Sequence, residues 1–176
     1  TITNTGSGPL VFTGNFTATG GGNKTLTLGG TGGIEIQGAI VDGPSGSVGL
    51  TKSTTGNLTL SSTQSTFSGN VVISNGTVFV GKVGGVGPGQ SSSFGSGGSA
   101  IELGSGSAGV TLVFENSSFH GTPRALNLAG TTGGVTLTNN GTGEVNFQGG
   151  DYGRGSREQD PHAKRFGSRQ DRRWNR

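Results

Sequence analysis

Residues 50–81 read LTKSTTGNLTLSSTQSTFSGNVVISNGTVFVG. In Leu58-Thr59-Leu60 apolar and polar residues alternate, and Thr77–Val80 also reads as a strand. A period of two is the mark of a strand with one buried face. Asn75-Gly76 between two such runs is a turn dipeptide. The same alternation recurs outside this stretch, at Leu26-Thr27-Leu28, Ile34-Glu35-Ile36 and Ile101-Glu102-Leu103. It returns at Leu126-Asn127-Leu128, Val135-Thr136-Leu137 and Val145-Asn146-Phe147. No segment sustains a helical period, so the chain is expected to be all-β.

Composition narrows the architecture. Of 176 residues, 27% are hydrophobic, 12% are charged and 39 are Gly. A sandwich needs large inward residues on two facing sheets and is the second choice. A right-handed parallel β-helix, or β-solenoid, with glycine-rich loops fits better, because its narrow interior takes about two inward residues per strand. Thr on the outer face favours extended backbone, and Gly and Asn suit the corners. Roughly a dozen strands at about three per coil predict about four coils. Two open ends are expected, and with them poor stability in isolation. The chain begins at Thr1 and has no Met, as expected of a processed piece or a fragment. The absence of Cys excludes a disulfide framework and thiolate chemistry.

Charge divides the chain at Gly150. Residues 1–150 carry Lys24, Lys52, Lys82 and Arg124 against Glu35, Asp42, Glu102, Glu115 and Glu144. Residues 151–176 are strongly basic and hold the only Tyr and Trp, so they are expected to form a disordered tail. A long-range repeat bears on that tail. Thr1–Asn15, TITNTGSGPLVFTGN, matches Thr136–Gly150, TLTNNGTGEVNFQGG, at seven of fifteen positions. The repeat predicts a continuation like Phe16–Gly33 after Gly150, and the sequence breaks from it. Read one nucleotide later, codons compatible with Gln159–Arg165 encode Arg-Thr-Leu-Thr-Leu-Ser-Gly, close to Lys24–Gly30. The tail is therefore expected to be a frameshift product, and the alternative is a basic arm for nucleic acid or anionic surfaces. The expectation is no nucleic-acid partner.

The quoted stretch resembles the autotransporter-associated β-strand repeat, also called the passenger-associated transport repeat. Leu50, Lys52, Gly56, Leu58, Leu60, Phe67, Gly69, Ile73, Gly76, Thr77 and Val78 carry the resemblance. Thr54, Ser62 and Val78 depart from the usual Gly, Gly and Leu, and the loop after Leu60 is one residue longer. The resemblance implies a non-catalytic β-helix segment of a large exported passenger, displayed at the surface of a Gram-negative-type bacterium. It implies neighbouring repeats of the same chain as partners, together with outer-membrane translocation machinery. An adhesin that contacts glycan or host protein through its outer face or through Gly84–Ser99 is the alternative. A glycan-active enzyme scaffold is the third choice.

Motifs for chemistry are sparse, and no catalytic residue, metal site or cofactor is expected. Gly76–Lys82 has phosphate-loop spacing, but Val83 stands where Ser or Thr would hold magnesium, and the intervening residues read as a strand. Gly20–Thr25 reads as a turn before a strand. His120 is expected on a loop. With Glu115 it suggests a Ser–His–acid triad, but no Gly-x-Ser-x-Gly elbow occurs. Glu35, Glu102, Glu115 and Glu144 are scattered, whereas glycan cleavage needs paired carboxylates. Thr-x-Thr runs at Thr1, Thr25 and Thr136 reflect strand propensity rather than an ice-binding ladder. Six Asn-x-Ser/Thr triplets are expected from composition alone.

Overall fold

The computed structural model describes residues 1–84 and 89–149. The tail expected at 151–176 lies outside them. The described residues form a parallel β-solenoid of about six turns with no helix. Turn one holds β1 (Ile2–Thr3), β2 (Leu10–Phe12) and β3 (Phe16–Thr17). Turn two holds β4 (Lys24–Gly29), β5 (Ile34–Ile36) and β6 (Ile40–Val41). Turn three holds β7 (Val48–Lys52) and β8 (Leu58–Leu60), and turn four holds β9 (Val71–Ile73) and β10 (Gly76–Val80). Turn five holds β11 (Ile101–Leu103), β12 (Val110–Phe114) and β13 (His120–Thr122). Turn six holds β14 (Leu126–Leu128), β15 (Val135–Asn139) and β16 (Val145–Phe147).

The strands stack into three sides. The first side is the six-stranded sheet β1-β4-β7-β9-β11-β14, and the second is β2-β5-β8-β10-β12-β15. The third carries two short pairs, β3-β6 and β13-β16. Every ladder between these strands is parallel, which rules out the sandwich. Six turns replace the expected four because alternation alone counts too few strands. Strands of two residues, such as β3 and β6, are too short to show a period.

Register explains the sparse core. On the second side Leu10, Ile34, Leu58, Val78, Leu112 and Leu137 form one inward column. On the first side Ile2, Leu28, Lys52, Ile73, Leu103 and Leu128 form another, with a lysine in its midst. The interior members are buried, whereas Leu10, Leu128 and Leu137 at the two ends are 37%, 69% and 49% exposed.

Turn length varies, and most of the variation falls on the third side. Leu26 pairs with Leu50, and Leu50 with Val71, so the third turn is slightly shorter than the second. Val71 then pairs with Ile101, and that fourth turn is the longest of the three. The extra residues belong to the glycine-serine segment Gly84–Ser99, whose composition predicts an outer loop. Its described part instead folds inward, with Ser92, Ser93 and Phe94 buried. Ser93 Oγ lies within hydrogen-bond reach of Ser62 O at 2.9 Å and Leu60 O at 3.1 Å, so the segment stands in for a third-side strand.

The long-range repeat also takes a definite form. Asn4 Nδ2 donates to Gly8 O at 2.9 Å while Gly6 N donates to Asn4 Oδ1 at 3.0 Å. Asn139 Nδ2 donates to Gly143 O at 2.9 Å while Gly141 N donates to Asn139 Oδ1 at 3.1 Å. The two copies therefore build one and the same corner. The first leads from the first side to the second in turn one, and the second leads from the second side to the third in turn six. The period of the repeat is thus not a whole number of turns, and the repeated piece is a strand–corner–strand cassette.

Candidate functional site

The motif of residues 50–81 occupies one full turn and the opening of the next. Leu50, Leu58, Leu60, Phe67, Ile73 and Val78 are buried in the core. Gly56 and Gly69 sit at corners where a Cβ would strike backbone of the previous turn, Gly32 O and Gly30 O in one case and Val48 O in the other. Thr77 is the outward member, in register with Thr111 and, one turn on, Thr136.

Lys52 is the residue whose role sequence patterning could not assign. It is only 2% exposed, and its ammonium donates to Thr54 O and, at 2.8 Å, to Asn75 O. These carbonyls belong to the corners of two successive turns, so the side chain ties the turns together from within. Gly76 completes the arrangement. Its φ is +79°, and a Cβ there would lie 2.7 Å from Lys52 Nζ. The Leu-x-Lys and Asn-Gly elements of the motif therefore meet in space, although a whole turn of chain separates them.

Burial pushes the Lys52 ammonium down to about 8. Because the folded value lies below the unfolded one, the unfolded chain binds more protons between about pH 8 and 10.5. Folding stability is then expected to rise with pH across that window. Urea unfolding midpoints at pH 7.5 and pH 10 check this, and the increment should vanish in Lys52→Met.

Asp42 plays a related part at the turn between the third and first sides. Its carboxylate accepts from Val48 N at 2.6 Å and from Ser68 Oγ at 2.6 Å. Partial burial opposes ionisation, but the Ser68 hydroxyl and the amides of Val48 and Ser68 hold the carboxyl below its ordinary value.

The residues considered for catalysis do not assemble. His120 is the first residue of β13, paired with Val145, and not a loop residue. Its Nε2 lies 3.4 Å from Ser118 Oγ, and its Nδ1 is buried without a hydrogen-bond partner, so Glu115 does not complete a triad. Burial, and then the nearby Lys82 charge, depress the imidazole pKa. Glu35 lies outward on the second side beside Thr59, and Glu102 on the first beside Asn127. Gly76–Val80 of the phosphate-loop spacing is β10, with Val78 and Val80 in the core. Among the described residues no group of three or more His, Asp or Glu could hold a metal, and no helix is long and apolar enough to cross a membrane.

A polar groove of about 440 Å³ opens on the outer first side, lined by Lys24, Thr25, Gly49, Thr51, Ser68 and Asn70. Gly49 makes its floor, since it stands in register beside Thr25 with no side chain. Nothing local in the sequence announces this notch, because a lone Gly within a strand reads as a bulge or close approach.

No family model, curated protein or solved structure matches the chain.

Proposed function

We propose that this chain is a non-catalytic structural segment of an exported, surface-displayed passenger of the autotransporter type. The supporting observation is the fate of the repeat motif. All of its named residues except Thr77 are taken up by core columns or corners. Such a motif serves the stacking of one turn on the next, which suits coil-by-coil folding against outer-membrane translocation machinery. Neighbouring repeats are its natural partners, and the cell surface its natural location.

The test is a fusion behind an export signal and ahead of an outer-membrane β-barrel. The chain is expected at the surface of intact cells, open to added protease. Lys52→Ala is expected to lower the displayed amount severalfold. Retention of the unsubstituted chain in the periplasm would sink the proposal.

The polar groove favours a second reading, an adhesin whose outer first side takes a hydroxyl-rich ligand such as a glycan. Its Thr, Ser and Asn side chains offer both donors and acceptors, and Lys24 adds a cation. A glycan array with the full chain tests this, with Thr51→Trp to fill the groove. Binding that the substitution leaves untouched would exclude the groove.

A further inference from the structure

The tripeptide Asn-Gly-Thr occurs twice, at Asn75–Thr77 and at Asn140–Thr142. An Asn-Gly pair is open to one reaction of its own backbone. The Gly nitrogen, once it has lost its proton, attacks the carboxamide carbon of the Asn, and glycine has no Cβ to hinder the approach. The acidity of that N–H therefore governs the rate.

The two sites are alike at the nitrogen and differ at the oxygen of the same peptide. Gly76 N donates to Gly109 O at 3.0 Å, and Gly141 N donates to Phe114 O and Asn139 Oδ1, both at 3.1 Å. Both nitrogens are thus restrained by hydrogen bonds. Asn75 is half-buried and Asn140 exposed, and among the described residues neither carboxamide is tied down by a hydrogen bond. At the oxygen, Asn75 O accepts from Lys52 Nζ at 2.8 Å, whereas among the described residues Asn140 O accepts from no cation. When Gly76 N loses its proton, amide resonance spreads the charge onto Asn75 O, where the buried ammonium meets it. An opposite charge at that distance favours the ionised form by about ten- to a thousandfold.

We propose that Asn75-Gly76 is a self-modifying site, in which the Lys52 ammonium promotes closure of the Asn75 side chain onto the Gly76 nitrogen. The bond from Gly76 N to Asn75 Cγ forms and the Cγ–Nδ2 bond breaks. Nδ2 leaves as ammonia, with the proton that Gly76 gave up. Water then opens the five-membered ring to aspartate or isoaspartate, so the corner gains a carboxylate beside the ammonium. The reaction consumes only water, and the inference stands apart from export.

Peptide mapping by mass spectrometry of the full chain follows both sites, each conversion exchanging ammonia for water. In guanidinium strong enough to unfold the chain, the identical tripeptides should convert at equal rates. Folded at neutral pH, where Lys52 carries its charge, Asn75 is expected to convert about tenfold faster than Asn140. Lys52→Met should abolish that advantage. A second readout needs no substitution. Among the described residues no carboxylate bonds to Lys52, and burial alone lowers its pKa, to about 8. The ratio of the two rates in the unsubstituted chain should therefore fall as the pH is raised through that value. A folded chain in which Asn75 converts no faster than Asn140 overturns the proposal. An advantage that persists both in Lys52→Met and above the titration of Lys52 overturns it too, since the ammonium would then have no part in the reaction.

Discussion

Gly76→Ala is expected to destabilise the fold by about 3–5 kcal/mol, whereas Gly22→Ala should cost only about 1–2 kcal/mol. The two glycines have nearly the same backbone, with φ of +79° and +77°. A Cβ on Gly22 would meet nothing within 4 Å, so that variant isolates the left-handed conformation. A Cβ on Gly76 would in addition lie 2.7 Å from both Lys52 Nζ and Thr54 O. Thr54 O is backbone fixed in the stack and cannot step aside cheaply. Urea unfolding of both variants at one pH gives the difference directly. Equal losses would mean that conformation alone selects glycine at position 76 and that the lysine has room to move.

Lys52→Ala is expected to cost about 3–5 kcal/mol, by two routes. It opens a gap in the column between Leu28 and Ile73. It also leaves Thr54 O and Asn75 O without the donor that serves both. Lys52→Met keeps most of the packing and removes the burial of a charge, so it should lose less than half as much. The double variant Lys52→Met, Gly76→Ala should be more stable than the sum of the single losses allows, by about 1 kcal/mol, because the methyl no longer confronts an ammonium. Strict additivity would show that the two positions do not act as a unit.

The sequence displayed some of these features openly and concealed others. Alternation at Leu26–Leu28, Leu58–Leu60 and Ile101–Leu103 marked the strands, because a one-sided sheet forces a period of two. Charge scarcity and abundant glycine pointed to a thin core and close corners. The two-residue strands β3 and β6 could not be seen, since two residues hold no period. Phe94 and its flanking serines looked like an outer loop, for their composition is that of a turn. What buries them is the long fourth turn, which must refill the third side. Lys52 was legible as a motif residue and illegible as a core residue. A lysine normally signals solvent, and only the corner carbonyls of its own and the next turn give its ammonium somewhere to go. The groove over Gly49 arises from stacking across three turns, which no local pattern encodes.

The two Asn corners have a geometrical consequence. From Asn4 to Asn139 the chain advances five turns and one side. With turns spaced about 4.8 Å apart, that is a rise of about 26 Å coupled to a rotation of one side in three. A polymer that repeated the cassette at this interval would be a screw with threefold phase. Any patch attached to the cassette would face three directions in succession and return to its first bearing only with the fourth copy. Such a stalk presents the same surface in every direction, whichever way it lies against a neighbour.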